Sequence, residues 1–178
     1  MDLGPQPTRR VCLAFMAHPD DAEILCGGTL ARLAADGWAV HIATATAGDC
    51  GSSTLGPDQI ASIRRQEAAA AAARIGGVHH CLEERDIQVI FQPNTVRKAV
   101  DLFRKVNPTV VFTHPRQDYM IDHEQVHLLA RGAAFSFPMP NASALPAPPN
   151  AEPPYLYYVD PFEGRDPYTG QTITPTTV

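Results

Sequence analysis

Short apolar runs alternate along this chain with helix-forming stretches, and this alternation constrains the fold more than any other feature. The apolar runs are too short for typical buried helices, so each predicts a strand. The predicted strands cover 11–17, 39–46, 78–82, 109–113 and, after an irregular proline-rich connection at about 138–154, 156–159. The predicted helices run from the residues after Asp21 to Gly37, over 60–75, from Asn94 or Thr95 to 106, and over about 122–134. Strands that alternate with helices indicate right-handed crossovers and a mostly parallel sheet of the α/β class.

Length and charge narrow the class of protein further. The chain has 178 residues, which predicts a single domain over 1–178 rather than two. Its formal net charge is −5 and it has no block of Lys or Arg. This composition argues against nucleic acid or an anionic membrane surface as a partner. No apolar run approaches the length of a membrane span.

The N-terminus and the cysteines indicate a cytoplasmic protein. The segment 1–10 lacks the apolar core and the cleavage site of a signal peptide. The cysteines form no CxxC pair, so they are predicted to be reduced core thiols rather than a disulfide framework. They are Cys12, Cys26, Cys50 and Cys81.

Polar loops follow three of the predicted strands. His18, Asp20 and Asp21 follow the first strand, the loop 46–53 follows the second, and 114–123 follows the strand at 109–113. Ligands of parallel α/β sheets bind at the carboxyl ends of the strands. We therefore expect these three loops to meet at one rim of the sheet.

The motif His18-Pro-Asp-Asp21 offers one imidazole and two carboxylates within four residues. One carboxylate can bind a metal beside His18 while the other faces a bound water. The same acids would suit the N-terminus of the following helix, where negative charge is favourable. These residues alone support a metal site and a helix cap equally well.

A second cluster contains His123-Glu-Gln-Val-His127, which matches the HExxH pattern of zinc peptidases. In that arrangement His123 and His127 would bind zinc and Glu124 would be the general base. Asp122 is predicted to cap this helix, which puts His123 in its first turn, and no third ligand stands out downstream. We therefore expect His127 to be a surface or packing histidine that faces away from the site.

Several motifs occur together in a recognisable order. They are Ala17-His-Pro-Asp-Asp-Ala-Glu23 with Gly27-Gly28, Thr46-Ala-Gly-Asp49, Arg64-Arg-Gln-Glu67, Asp122-His123 and Tyr157-Tyr-Val-Asp-Pro-Phe-Glu-Gly164. This set resembles the LmbE-like, or PIG-L, zinc deacetylases, mainly over residues 11–131. The resemblance implies a Rossmann-like three-layer sandwich and an amidohydrolase. Such an enzyme removes an N-acyl group, usually acetyl from an N-acetylglucosamine linked to an aglycone.

Matched position by position, the resemblance implies that His18, Asp21 and His123 are zinc ligands. It also implies that Asp20 is the general base, acting on a metal-activated water. Asp122 would be a carboxylate that orients the site from behind the ligands.

For each of three further residues, the sequence is compatible with two roles. The resemblance implies that Arg64 reaches the substrate, and an exposed helical arginine is the alternative. Asp49 either binds a sugar hydroxyl or satisfies its own loop backbone. Glu23 either orients its neighbours or caps the helix.

Two features differ from the family pattern. Many members have a histidine where this chain has Met120, whose thioether neither titrates nor donates a strong hydrogen bond. His114, His127 or a residue of the C-terminal part would then have to replace it, or the role is not needed. Family members also continue beyond the position of Val178.

The expected cofactor is Zn²⁺, although two histidines and one carboxylate also suit iron, cobalt or manganese. The expected partner is a small N-acetylated amino sugar, and the family also forms homo-oligomers. Two alternatives stay open at this point. The first is a non-catalytic module that binds metal or sugar, and the second is the HExxH peptidase.

Overall fold

Five parallel strands form one sheet in the computed structural model, which describes residues 10–172. The strands are β1 (Val11–Met16), β2 (Ala39–Thr46), β3 (Val78–Glu84), β4 (Val110–Thr113) and β5 (Tyr155–Tyr158). The helices are α1 (Asp21–Ala35), α2 (Pro57–Arg74), α3 (Pro93–Val106) and α4 (Ile121–Ser136). The predicted α/β class and parallel sheet are confirmed. The predictions for residues 1–9 and 173–178 lie outside the described part of the chain.

The strand order is β3-β2-β1-β4-β5, which makes β1 the central strand. Phe15 of β1 is in register with Ala43 of β2 on one side and with Thr113 of β4 on the other. The chain builds the sheet outward from β1 in one direction and then crosses back to add β4. Such a reversal opens a crevice at the carboxyl ends of the two strands beside it. The loops after β1 and β4 therefore leave the sheet side by side.

The central strand contributes to two separate cores because successive residues of a strand face opposite sides of the sheet. Leu13 and Phe15 pack with residues of α3 and α4. Cys12 and Met16 pack with residues of α1 and α2. Burial on both faces explains why the sequence of β1 is continuously apolar. The three-layer sandwich implied by the resemblance is confirmed.

Helix α3 begins earlier than predicted. It starts at Pro93 with Gln92 in the N-cap position, so the prediction that Asn94 or Thr95 caps it is wrong. Proline suits the first position of a helix because it has no N–H that would need a partner there. Thr95 lies inside the first turn and is buried.

The start of α4 also differs from the prediction. Met120 occupies its N-cap position, so the prediction that Asp122 caps this helix is wrong. The Asp122 carboxylate instead accepts a hydrogen bond from the backbone N–H of Ile87 and lies against His18. The carboxylate is therefore part of a contact between distant loops and does not satisfy its own helix.

The proline-rich connection is irregular, as predicted, apart from one short 3₁₀ turn at Pro140–Ala142. Buried Arg104 of α3 holds it in place by donating to backbone carbonyls of the connection and of the residue just before it. These carbonyls belong to Phe137, Met139, Ser143 and Leu145. The connection is therefore ordered by hydrogen bonds to one side chain rather than by its own secondary structure.

All four cysteines are free. Cys12 and Cys26 are buried and Cys81 is half-buried, but Cys50 is exposed. The prediction of core thiols is therefore wrong for Cys50, because its loop lies on the surface after β2. Over residues 10–172, no helix is both long and apolar enough to cross a bilayer.

Candidate metal centre

The loop after β1 and the first turn of α4 bring His18, Asp21 and His123 together. Nδ1 of His18 and Nε2 of His123 each lie 3.5 Å from Oδ2 of Asp21. Their three ligand atoms all lie within 4.8 Å of one another. In a tetrahedral zinc site with bonds of about 2.1 Å, neighbouring ligand atoms are about 3.4 Å apart. The observed spacing suits such an ion.

The burial of His123 gives an independent reason to expect a cation. The side chain is 2% exposed, and its Nε2 has no hydrogen-bond partner among residues 10–172. A buried polar atom without a partner is unfavourable and calls for an explanation. A metal ion bound between His123, His18 and Asp21 would provide the missing partner, so the residues fit the implied group.

Each of the two histidines has a carboxylate at its other ring nitrogen. Nε2 of His18 lies 3.0 Å from Oδ2 of Asp122, and Nδ1 of His123 lies 2.9 Å from Oδ1 of Asp118. Histidines that bind metals commonly donate their second N–H in this way, which fixes the ring and its tautomer. The remaining nitrogen of each ring then faces Asp21.

Charge at the cluster favours a cation. Burial lowers the pKa of His18, but hydrogen bonds with Asp122 and Asp21 outweigh this effect and raise that pKa from 6.5 to about 10. Burial raises the pKa of Asp21, but the neighbouring imidazoles of His114 and His18 bring it well below its usual range. The metal-free cluster therefore keeps a proton on His18, and a metal ion would take the place of that proton.

His114 supports this cluster from inside the protein. Its ring is fully buried and stacks on the ring of His123 at a centroid distance of 3.9 Å. Its Nε2 accepts a hydrogen bond from the backbone N–H of Ala17 and lies 3.3 Å from Asp21 Oδ2. Burial lowers the pKa of His114. With no exposed surface, His114 can position its neighbours but cannot contact a substrate.

Asp20 lies beside the cluster and faces solvent. Its φ is 99°, and its side chain makes no capping hydrogen bond to α1 although it occupies the N-cap position. Asp20 therefore has the position that the helix-cap interpretation expects, but its side chain does not cap the helix. Its carboxylate is 54% exposed and lies 2.7 Å from the Arg64 guanidinium. A pocket of about 190 Å³ opens here, lined by Asp20, Asp21, Ile24, Leu25, Asp118, Tyr119 and His123.

The structure shows the contacts of Arg64, Asp49 and Glu23, for which the sequence allowed two roles each. Arg64 contacts Asp20 and the backbone carbonyl of Pro19, so it is not a free surface arginine. That it reaches a substrate stays a prediction. Oδ1 of Asp49 accepts the backbone N–H of Asp86 at 2.8 Å, which joins two loops. Glu23 lies on α1, where partial loss of solvation and the nearby Asp20 and Asp21 raise its pKa.

The HExxH pattern does not form a peptidase centre. His127 is buried, its Nδ1 lies 3.0 Å from the backbone oxygen of His114, and its ring packs on Tyr158. No candidate metal cluster within the described residues includes His127. Oε1 of Glu124 accepts hydrogen bonds from the backbone N–H of Asp118 and from a tyrosine hydroxyl. The prediction that His127 is a packing residue is confirmed, in the core rather than at the surface.

Sequence reasoning missed the roles of Asp118, His114 and Asp86. Asp118 stands five residues before His123, in the loop that leads into α4, and this acidic spacing is the available signal. Asp86 is 7% exposed, one of its oxygens has no partner in the described part of the chain, and its charge helps to raise the pKa of His18. No pattern in the sequence marks Asp86, because it comes close to the site only through the packing of the loop after β3.

Comparisons with known proteins agree with this geometry. The sequence profile of PIG-L, described as GlcNAc-PI de-N-acetylase, matches residues 13–134, which is more than half of the chain. A 1D-myo-inositol 2-acetamido-2-deoxy-alpha-D-glucopyranoside deacetylase of Rhodococcus jostii (strain RHA1) is 41% identical over 157 residues, covering 71% of this chain and 53% of the relative. A 4-oxalmesaconate hydratase of Pseudomonas putida (strain KT2440) is 28% identical over 133 residues, covering 70% and 52%.

Among solved structures, the N,N'-diacetylchitobiose deacetylase of Pyrococcus horikoshii superposes with a TM-score of 0.77 at 26% identity. The match covers 87% of this chain and 62% of that structure. The chain spans about half the length of the curated relatives it matches. From the profile match over most of the fold, we conclude that this chain belongs to the PIG-L (GlcNAc-PI de-N-acetylase) family.

Proposed function

We propose that this chain is a metal-dependent N-deacetylase that hydrolyses the acetamide of a small N-acetylglucosamine-type sugar. The observation that carries the proposal is the buried set of His18, Asp21 and His123 beside an exposed acid, Asp20. The named deacetylases from Rhodococcus jostii and Pyrococcus horikoshii support the reaction class and the kind of substrate. We also propose a cytoplasmic setting, in which the four free cysteines would stay reduced.

Zinc is the metal that we propose for this site. Nδ1 of His18, Oδ2 of Asp21 and Nε2 of His123 would hold it. When bound, such an ion polarises an acyl oxygen and lowers the pKa of water toward neutrality. Asp122 and Asp118 keep the two imidazole rings in the orientation that binding requires.

Asp20 is the proposed general base. Its carboxylate lines the same pocket as Asp21 and His123, and its exposure lets it reach a water molecule there. It accepts a proton from the attacking water as the new C–O bond forms. It then returns this proton to the amine nitrogen as the C–N bond breaks, which releases the amine and acetic acid, and the acid ionises to acetate. Asp20 ends the cycle as a carboxylate, as it began.

The direct test measures acetate release from zinc-loaded protein supplied with N,N'-diacetylchitobiose or 2-acetamido-2-deoxyglucosyl-inositol. We expect Asp20→Asn to lower kcat by roughly 10²–10⁴-fold. Glu124→Gln, a matched change of an acid in the HExxH pattern, should keep most of the activity. If Glu124→Gln is inactive while Asp20→Asn is active, the deacetylase mechanism is wrong and the peptidase arrangement is favoured.

Hydration of a carbon–carbon double bond is a second candidate reaction. The Pseudomonas putida hydratase that this chain resembles is the observation that favours it. The discriminating assay follows the loss of ultraviolet absorbance of 4-oxalmesaconate in the same preparation. Hydration without acetate release from any N-acetyl sugar would select this candidate. A bound metal with no turnover in either assay would select a non-catalytic binding module.

A further inference from the structure

We propose that Arg64 is a positioning residue that holds the Asp20 carboxylate in place, so that α2 sets the direction of the general base. The inference rests on the proposed role of Asp20 and assigns Arg64 a task other than substrate binding. Three segments meet in the contact: the turn after β1, the loop after β2, and α2.

The guanidinium of Arg64 contacts both the side chain and the backbone of the turn after β1. Its Nη2 donates to Oδ2 of Asp20 at 2.7 Å and also to the carbonyl oxygen of Pro19. A planar guanidinium with fixed donors orients such partners better than a flexible ammonium does. These two bonds together fix the turn and the carboxylate relative to α2.

The backbone of Asp20 needs such support. Its φ of 99° lies in a region that is unfavourable for residues with a Cβ atom. Residues persist there only where the surroundings compensate, and such positions concentrate at functional sites. The carbonyl of Asp20 accepts the N–H of Ile24 in α1, but its side chain makes no capping bond that would fix the carboxylate. The two bonds from Arg64 stabilise this turn at Pro19 and Asp20 from a separate element of the fold.

The loop after β2 leaves room for the Arg64 side chain. A Cβ atom added at Gly48 would lie 3.3 Å from Cγ and 3.4 Å from Nε of Arg64, and 3.4 Å from Cδ of Pro19. Gly48 also has a φ of +74°, which favours glycine. The arginine stem therefore lies in a close-fitting slot, and only 27% of its side chain is exposed.

The next residue of α2 provides a matched control. Arg65 pairs with Glu83 through Nε at 3.0 Å, and both side chains are about half exposed. This pair is equivalent in charge and lies on the same helix, but it makes no contact with the turn after β1. Arg65→Gln therefore removes an ion pair of α2 without disturbing Asp20.

The first experiment compares Arg64→Gln, Arg64→Lys and Arg65→Gln with the wild type for zinc content, kcat and KM of acetate release. We expect Arg64→Gln to lower kcat by roughly 10–100-fold with KM and zinc content unchanged. Arg64→Lys should recover part of the loss, and Arg65→Gln should resemble the wild type. A raised KM with kcat unchanged in Arg64→Gln would show that Arg64 binds substrate and would overturn the proposal.

A double-mutant cycle tests whether Arg64 acts through Asp20. If it does, the variant with both Asp20→Asn and Arg64→Gln should be no slower than Asp20→Asn alone, because the base is already lost. Losses that multiply would mean that the two residues act independently, and the proposal would be wrong.

Crystal structures of zinc-loaded wild type and Arg64→Gln give a readout that does not depend on turnover. The proposal expects the Asp20 carboxylate to leave its wild-type position, and its φ to leave the positive region, in the variant alone. An unmoved Asp20 would contradict it. If the wild type releases no acetate, the proposed function fails, while this comparison still decides whether Arg64 holds Asp20.

Discussion

At the scale of single residues, the proposed metal centre depends on acids that do not touch the metal position. Asp118 and Asp122 each hold one imidazole ring through the nitrogen that faces away from Asp21. Asp118 is 5% exposed and Asp122 is 1% exposed, so water competes little for these bonds. The orientation of His18 and His123 is therefore set before any ion arrives.

Removing one of these acids should weaken metal binding without removing a ligand. We expect Asp118→Asn to lower zinc affinity by roughly 10–100-fold, because the amide no longer fixes the His123 ring as a carboxylate does. Zinc titration against a competing chelator measures this. Asp36→Asn is the matched control, since the Asp36 carboxylate pairs with Arg32 at the exposed end of α1, far from the cluster. Equal affinity in Asp118→Asn and the control would contradict the role of Asp118.

The raised pKa of His18 predicts how stability depends on pH in the metal-free protein. Because the folded pKa of about 10 exceeds the unfolded value near 6.5, His18 stabilises the fold fully below pH 6.5. This contribution is lost as the pH rises toward 10. We expect the Tm of the metal-free protein to fall across this interval, and to fall less in His18→Ala and in the zinc-loaded protein. The same decline in all three would contradict the prediction.

The sequence predicts the site residues that belong to a short motif. It misses the residues that only the folded chain brings close to that motif. His18 and Asp21 share one turn, and His123 follows a predicted strand. Because ligands of parallel sheets bind at the carboxyl ends of the strands, the sequence predicts that these three residues lie close together. His114 also follows that strand, but no pattern indicates that its ring is fully buried against His123. Burial of this kind depends on the packing of α4 against the sheet.

At the scale of elements, periodicity predicts the helices and strands, while their first residues depend on longer-range contacts. The start of α4 shows the reason. Asp122 has the side chain of a typical N-cap, but its carboxylate bonds to His18 and to the backbone of Ile87. A contact across 104 residues of sequence therefore outweighs a local preference for capping.

The proline-rich connection gives an element-scale prediction. We expect Arg104→Met to destabilise the fold by roughly 2–4 kcal/mol, because several backbone carbonyls would lose their charged donor in a buried place. Urea unfolding measures the loss, and limited proteolysis should cut within 138–149. Arg97→Met is the control, because Arg97 is exposed on the same helix. Resistance to proteolysis equal to that of the control would refute the anchoring role.

At the scale of the whole molecule, the position of β1 determines where the chemistry occurs. The alternation of strands and helices predicts the parallel sheet and the shared rim, and the structure confirms both. The neighbours of each strand could not be predicted from that alternation, because the same connections allow several strand orders. The order found here places β1 next to β4, so His18 and His123 leave adjacent strands of the sheet.

The central claim is that one metal ion binds to His18, Asp21 and His123, and not through His127. Elemental analysis of purified wild type, His18→Ala and His127→Asn tests it most directly, since asparagine can still donate to the His114 carbonyl. We predict about one metal per chain in the wild type and in His127→Asn, and almost none in His18→Ala. Metal that persists without His18 and disappears without His127 would contradict the account.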